Sequence, residues 1–140
     1  MFTKNSWLYF LRFACLVTIF TGLIASVASH PNGDFLWKYL FDVLKNFDPM
    51  RPTLFSQDHY ALNAVLGGVM IGWGVFMYYM SAPSLFSEPI RKGFIWSLVS
   101  WFICDSVGSL AAGLLGNILL NVIFFTIFIL PLYMLRPAKP

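Results

Sequence analysis

The chain has 140 residues, of which 59% are hydrophobic, 19% are aromatic and only 11% are charged. Ordinary soluble domains carry about 25% charged residues, so the composition excludes that class and indicates a membrane protein. The formal net charge of +3 comes from scattered basic residues, mostly at the ends of apolar segments, which gives a nucleic-acid-binding surface no support.

Four apolar segments, at about 7–28, 59–80, 94–114 and 117–135, each approach the roughly 20 residues that cross a hydrocarbon core. They predict one all-α, multi-pass membrane domain over residues 1–140. Lys4, the first apolar run and Ser26-Val27-Ala28 also imitate a signal peptide, but we expect a retained helix. Six Lys and Arg residues toward the predicted inner side, Arg12 among them, against three in the outer loop favour cytoplasmic N- and C-termini.

The outer loop, residues 29–58, contains an amphipathic segment that predicts an interfacial helix at about 34–47. Asp34 follows a turn signal and is a candidate N-cap, and Asp48-Pro49 ends the segment. A narrow polar stripe crosses a broad apolar surface and consists of Lys38, Asp42 and Lys45. We expect this helix to lie on the outer leaflet or to cap the bundle; docking of a partner is the alternative.

Small residues recur at four-residue spacing in the second and third apolar segments. Such stripes let helix backbones approach closely in a bilayer, so we expect them at helix contacts. Contact between the two stripes is one such arrangement. The predicted packing residues are Ala64, Gly68, Gly72, Ser100, Cys104, Gly108 and Ala112. Gly113, Gly116 and Asn117 leave only a short turn before the last segment, which predicts an antiparallel hairpin.

Asp105 stands near the middle of the third apolar segment, where a carboxylate costs about 2.5 kcal/mol or more. Ser106 and Ser109 lie close to it in sequence, and together with Arg12 they form the rest of a candidate buried polar site. Helical rise places Asp105 roughly 16 Å and Arg12 roughly 7 to 8 Å from the inner surface. We therefore expect an Arg12–Asp105 pair; the alternative is that Arg12 extends to the cytoplasmic headgroups.

Other polar residues cluster at the predicted outer ends of the helices. They suggest a vestibule beneath the amphipathic helix, built by His59, Asn63, Asn117 and Asn121. The alternative is that the asparagines bind neighbouring helices and the histidine lies among headgroups. Cys15 and Cys104 are expected to be packing residues, and no Cys/His cluster has zinc spacing, so we predict no metal and no cofactor.

The second to fourth segments, about half the chain, resemble small four-helix bacterial inner-membrane proteins and, more weakly, DoxX-like proteins. The resemblance rests on short motifs: Gly67-Gly68, Gly72-Trp73-Gly74, Trp101-Phe102, Asp105-Ser106, Gly108-Ser109, Gly113, Asn117 and Asn121-Val122. It implies a four-helix membrane fold in a bacterial plasma membrane. It implies no activity and no catalytic residue.

Three functions are compatible with these residues. The preferred one is a non-enzymatic integral membrane protein, either an accessory subunit with a membrane-protein partner or a binder of a small lipophilic ligand. The second is a small proton-coupled transporter with Asp105 as its titrating site, which we would expect to work as a homo-oligomer. The third is a redox protein associated with haem or quinone through His30 and His59.

Overall fold

The computed structural model describes residues 3–45 and 53–136, and within these ranges the protein is helical without strands. The elements in chain order are α1 (Lys4–Val27), a 3-10 turn (Pro31–Gly33), α2 (Phe35–Leu44), α3 (Gln57–Met80), α4 (Glu88–Ala111) and α5 (Leu115–Met134). Four of them, α1, α3, α4 and α5, are long and apolar enough to cross a membrane. The predicted all-α fold with four candidate spans and an additional short helix is confirmed.

The largest difference in helix bounds is at α4, which begins at Glu88 rather than near residue 94. Pro89 stands in the first turn, where its missing N–H breaks no hydrogen bond, and Glu88 carries negative charge at the helix N-terminus. Pro89 therefore starts a helix and does not mark a loop. At the end of α2, the predicted stop at Asp48-Pro49 lies outside the described residues.

The four long helices are arranged in the order α3–α1–α5–α4. α1 packs along α3 and also against α5, and α5 packs along α4. α3 and α4 are not an extensively packed pair in the part of the chain described, although the rings of Trp73 and Trp101 lie 6.3 Å apart. One end of the bundle holds α2 and the α4–α5 turn, and we refer to it as the α2 end.

Close packing of α1 on α3 depends on Gly22, Gly67 and Gly74. A methyl group on Gly67 would lie 2.5 Å from Ser26 N and 2.6 Å from Gly22 O, both backbone atoms of α1. A methyl group on Gly74 would lie 2.7 Å from a side-chain carbon of Ile19. The glycines therefore permit an approach between helices that no larger residue allows, as is common in membrane bundles.

The predicted packing stripes lie on other faces, so that prediction is wrong within this chain. An added methyl group would meet nothing within 4 Å at Gly68, Gly72 or Gly108. All seven residues of the stripes are exposed: Ala64, Gly68, Gly72, Ser100, Cys104, Gly108 and Ala112. Gly67 and Gly74 are seven residues apart and share the contacting face, whereas the predicted stripe on α3 runs along a neighbouring face.

The bundle is filled at the end opposite to α2. Its main apolar core there includes Leu11, Met77, Leu98 and Leu132, each buried almost completely. A second, smaller core lies under α2 and contains Ala25, Ala28 and Trp37. The space between these two cores is not filled by side chains and forms a cavity.

Candidate functional site

The cavity has a volume of about 430 Å³ and is bounded by all five helices. Its lining is mostly apolar. Thr18 and Thr21 come from α1, and α2 supplies Trp37, Leu40, Phe41 and Leu44. The other lining residues are Leu66, Val69, Met70, Trp73, Trp101, Asp105, Leu114, Asn117, Leu120, Asn121, Phe124 and Phe128. Pockets that bind small molecules typically have this size and a few convergent polar groups on an apolar lining.

Three of those polar groups, Asp105, Asn117 and Asn121, form hydrogen bonds with serines of α4 on the wall made by α4 and α5. Ser109 Oγ and Asn117 Nδ2 each donate a hydrogen bond to Asp105 Oδ1, both at 3.1 Å. Asn117 Nδ2 also donates to Ser109 Oγ at 2.7 Å. One helical turn after Asn117 on α5, Asn121 Nδ2 lies 3.3 Å from Ser106 Oγ. The structure thus joins Asp105, Ser109 and Asn117, whereas Ser106 bonds Asn121 in a separate pair.

The turn between α4 and α5 sets the register of this network. Gly113 has a φ of 73°, a left-handed conformation that favours glycine. The N–H of Leu114 bonds Ser109 O at 2.9 Å, and the N–H of Gly113 bonds Leu110 O at 3.1 Å. This is the hydrogen-bond pattern of a Schellman motif, which ends α4 and reverses the chain within a few residues. The reversal places Asn117 opposite Asp105 and Ser109, and it confirms the predicted hairpin.

The predicted pair of Arg12 with Asp105 is wrong. The Arg12 guanidinium lies 4.1 Å from the ring centroid of Tyr78, and its buried Nε has no hydrogen-bond partner among the described residues. Because α4 starts at Glu88, Asp105 lies 17 residues, or about 26 Å, from that end of the helix. Arg12 is eight residues, or about 12 Å, from the start of α1. An axial gap of about 14 Å is too long for the pair.

Aromatic rings form the floor of the cavity on the side away from α2. Trp73 stacks on Phe128 with ring centroids 6.1 Å apart and lies 6.3 Å from Trp101. Trp101 is four residues before Asp105 on α4, so the indole and the carboxylate lie on one face, about one turn apart. The site therefore combines one carboxylate with several aromatic rings.

α2 closes the cavity and is fixed at both ends. Near its start, Trp37 Nε1 donates to Asn63 Oδ1 at 3.1 Å, and Asn63 Nδ2 donates to Ala28 O at 3.1 Å. At its other end, Leu44 lies directly on Gly116, where an added methyl group would be 2.5 Å from Leu44 O. The buried amide of Asn63 thereby connects α1, α2 and α3.

Polar side chains on the other face of α2 form hydrogen bonds with residues before and after this helix. Asp34 is buried and accepts hydrogen bonds from Lys38 Nζ at 2.6 Å and from the Tyr60 hydroxyl at 2.8 Å. Asp42 accepts the backbone N–H of Thr53 at 3.0 Å, and Lys45 Nζ lies 3.1 Å from Thr53 Oγ1. Asp34 stands at the N-cap position but makes no side-chain cap hydrogen bond. The predicted polar stripe therefore serves tertiary contacts.

Acid should weaken the attachment of α2 through Asp34. The hydrogen bond from Lys38, reinforced by that from Tyr60, lowers the pKa of Asp34 below its ordinary 3.8. A carboxyl whose pKa is lower in the folded state adds stability above its unfolded pKa, and this stability is lost as pH falls through the folded pKa. We expect the unfolding midpoint to fall in this acidic range, measured by intrinsic fluorescence during denaturant titrations at several pH values.

The control for this prediction is Asp34→Asn, which should reduce the acid-dependent change while lowering stability at neutral pH. Asp42 and Glu88, whose pKa values are also lowered by their hydrogen-bond partners, account for the acid dependence that remains. Tyr60→Phe keeps the hydrogen bond from Lys38 to Asp34. It should therefore reduce the acid-dependent change in stability by less than Asp34→Asn does. An Asp34→Asn protein with the same acid dependence as the parent would contradict the assignment.

The predicted outer vestibule is not one site, and in that respect the prediction is wrong. Asn117 and Asn121 line the cavity, but Asn63 is used in the link between α1, α2 and α3. His59 is exposed and accepts the backbone N–H of Ser56 at 3.1 Å, completing a capping box at the start of α3. The four residues were grouped by sequence depth alone, which does not reveal the face on which each side chain lies.

The histidines have separate local roles in the structure. His30 Nδ1 accepts the backbone N–H of Asn32 at 3.2 Å, and the His59 ring stacks on Phe55 at 5.7 Å. In residues 3–45 and 53–136, no group of three or more His, Cys, Asp or Glu side chains is placed to hold a metal ion. The haem hypothesis gains no supporting geometry from these positions.

No protein-family model, curated protein or solved structure matches this chain. Functional inference therefore depends on the site itself. Several of its residues are not predicted as site residues from the sequence, above all Trp37, Trp73, Trp101 and Phe128. The sequence gives little indication of their position, because an aromatic residue in an apolar helix can face either lipid or the protein core. The spacing of Trp101 and Asp105 on one face of α4 was the available indication.

Proposed function

We propose that the protein is a non-enzymatic integral membrane protein that binds a small lipophilic ligand in the cavity under α2. The observation that carries the proposal is the cavity of about 430 Å³, with its mostly apolar lining and few polar groups. Pockets that bind small molecules commonly have this size and this kind of lining. The apolar lining favours a lipophilic ligand over water.

The proposed location is a bacterial inner membrane with both termini in the cytoplasm. This orientation puts six basic residues on the cytoplasmic side: Lys4, Arg12, Arg91, Lys92, Arg136 and Lys139. The opposite side receives three, Lys38, Lys45 and Arg51. The imbalance follows the positive-inside rule, and the cavity would then lie toward the outer leaflet. The likeness to four-helix inner-membrane proteins, with its weaker DoxX-like component, is consistent with this proposal.

The arrangement of helices provides a route for such a ligand. α3 and α4 pack against each other less extensively than α1 packs on α3 or α4 packs on α5. Leu66 and Val69 of α3 line the cavity and are also exposed on the surface of the bundle. A ligand dissolved in the bilayer could enter between these helices without passing through water. α2, fixed at both ends, needs no opening movement in this scheme.

The test is photolabelling with probes that share a ten-carbon, diazirine-bearing chain and differ in head group: alcohol, trimethylammonium and sulfate. The full-length protein in detergent is labelled with each probe, with and without an excess of the same compound lacking the diazirine, and the products are mapped by mass spectrometry. Leu120 lines the cavity, whereas its neighbour Leu119 is 65% exposed on the outer surface. We expect saturable, competed labelling at Leu120 with at least one probe, and uncompeted labelling at Leu119. Equal, uncompeted labelling of both positions by all three probes would overturn the proposal.

A second candidate function is a small proton-coupled carrier, which is favoured by the position of Asp105 on the cavity wall. A titratable carboxylate beside the ligand could exchange a proton for it. The measurement is proton flux in vesicles containing the purified protein, for the parent and for Asp105→Asn. Flux that is unchanged by the substitution would eliminate Asp105 as the coupling site.

A further inference from the structure

Among the described residues that line the cavity, Asp105 is the only one with a formal charge. Within 3–45 and 53–136, the lining includes three tryptophans, three phenylalanines, five leucines and several small or neutral polar residues, but no Lys, Arg or His. A carboxylate in such surroundings is expensive unless a cation or several donors compensate its charge. The described side chains of the lining therefore include no cation to neutralise the Asp105 carboxylate.

The donors around Asp105 compensate only part of the carboxylate. Ser109 and Asn117 are neutral, and both of their hydrogen bonds end on Oδ1. Oδ2 receives no hydrogen bond from the residues that the structure describes. Asp105 is half-buried, so the side chain is in contact with the cavity and is not enclosed by protein. One carboxylate oxygen is thus left for a partner from outside the chain.

The neighbouring aromatic rings suit the same partner. Trp101 lies one helical turn from Asp105, and Trp73 lies between Trp101 and Phe128, at 6.3 and 6.1 Å. The face of an indole attracts a cation within about 6 Å of the ring centroid, and quaternary ammonium groups are commonly bound by aromatic residues. The Cα atoms of Trp101 and Asp105 are separated by about 6 Å of helical rise along α4. An alkylammonium head group would contact both side chains.

We propose that the ligand is a lipophilic cation, with an ammonium head group between Asp105 and the rings of Trp101 and Trp73. Its alkyl portion lies against apolar side chains such as Leu40, Leu66 and Leu120. This inference rests on the proposed function and specifies its ligand class. It predicts discrimination by charge: a cation is preferred over a neutral compound of the same length, and an anion is disfavoured by the carboxylate.

The experiment measures the affinities of decyltrimethylammonium, decanol and decyl sulfate for the full-length protein in a nonionic detergent. Each compound is titrated as a competitor of one diazirine probe, and the readout is the loss of labelling at Leu120. We expect decyltrimethylammonium to bind at least about tenfold more tightly than decanol, and decyl sulfate to bind most weakly. Asp105→Asn should lower the affinity for the cation by about tenfold or more and leave decanol within about threefold. The asparagine amide oxygen can still accept the hydrogen bonds of Ser109 and Asn117, so the network is retained.

Asp58→Asn is the matched control, because it removes the same charge from an exposed position in the first turn of α3. It should leave all three affinities unchanged. Equal binding of the cation and decanol by the parent protein would overturn the cation assignment while leaving a lipophilic binding site in place. No saturable binding of any of the three compounds would overturn the proposed function as well. Since the comparison of head groups uses the parent protein, it decides the question even if Asp105→Asn fails to fold.

Discussion

Replacing Gly67 with alanine should destabilise the protein by about 1 to 3 kcal/mol, the range for forcing extra carbon into a packed contact. The new methyl group would lie 2.5 Å from Ser26 N and 2.6 Å from Gly22 O. Both are backbone atoms within α1, so neither can rotate away. α1 and α3 would have to separate along the most extensive helix contact of the bundle.

Gly68→Ala is the control for this prediction. Gly68 is the next residue on α3, and an added methyl group there meets nothing within 4 Å. Both substitutions bring the same change in helix propensity, which favours alanine by about 1 kcal/mol in water. Their difference in stability therefore isolates the contact with α1.

The measurement is the free energy of unfolding in detergent, from denaturant titrations of the parent and the two variants under the same conditions. We expect Gly68→Ala to be as stable as the parent or slightly more stable, and Gly67→Ala to be clearly less stable. Equal stability of the two variants would show that α1 and α3 do not approach each other as described.

The contrast between these two glycines also shows what the sequence can and cannot predict. Apolar runs of about 20 residues identify the four long helices, because a span of hydrocarbon requires that length. Gly67, Gly68, Gly72 and Gly74 offer two adjacent small faces on α3, and only the position of α1 distinguishes them. Local spacing predicts that a close contact exists on this helix but does not predict its direction.

Asp105 illustrates a similar limit for the site. Its position on a polar face beside Ser109 follows from helical periodicity, and both residues belong to the network in the structure. Its partner Asn117 depends on the register of the hairpin, which is fixed by the left-handed turn at Gly113. Its predicted depth was wrong because Pro89 begins a helix instead of interrupting the chain. An error in one helix start was enough to suggest the wrong partner, Arg12.

α2 shows how a correct local prediction can leave the function of a segment open. The amphipathic pattern predicts the helix, and its apolar face could cover either lipid or protein. The structure shows that Trp37, Leu40, Phe41 and Leu44 cover the cavity. Contacts with Asn63 and Gly116, distant in sequence, hold the helix in this place. The amphipathic pattern alone contains no information about those contacts.

The contact of Asn63 with α2 leads to the second prediction with a large effect. Asn63→Leu should destabilise the protein by about 1 to 3 kcal/mol, because Trp37 Nε1 and Ala28 O would both lose a buried partner. Leucine has a similar size, so the loss reflects unsatisfied polar groups and not a cavity. Asn5→Leu, at an exposed position in the first turn of α1, should change stability by no more than about 0.5 kcal/mol.

A double-mutant cycle separates the link to α2 from the link to α1. Trp37→Phe removes the indole N–H, and its effect should be smaller in the Asn63→Leu protein than in the parent, since the acceptor is already absent. We expect a coupling energy of about 0.5 to 3 kcal/mol, measured from unfolding free energies of the four proteins. Additive effects would mean that Trp37 and Asn63 contribute independently.

The same variants test whether the stable attachment of α2 contributes to ligand binding in the cavity. Trp37 is both the residue held by Asn63 and part of the cavity lining, so loosening α2 should weaken ligand binding. Decyltrimethylammonium should then bind less tightly to Asn63→Leu than to Asn5→Leu, although neither substitution changes Asp105 or the aromatic floor. Loss of stability with fully retained affinity would show instead that α2 covers the cavity without helping to hold its ligand.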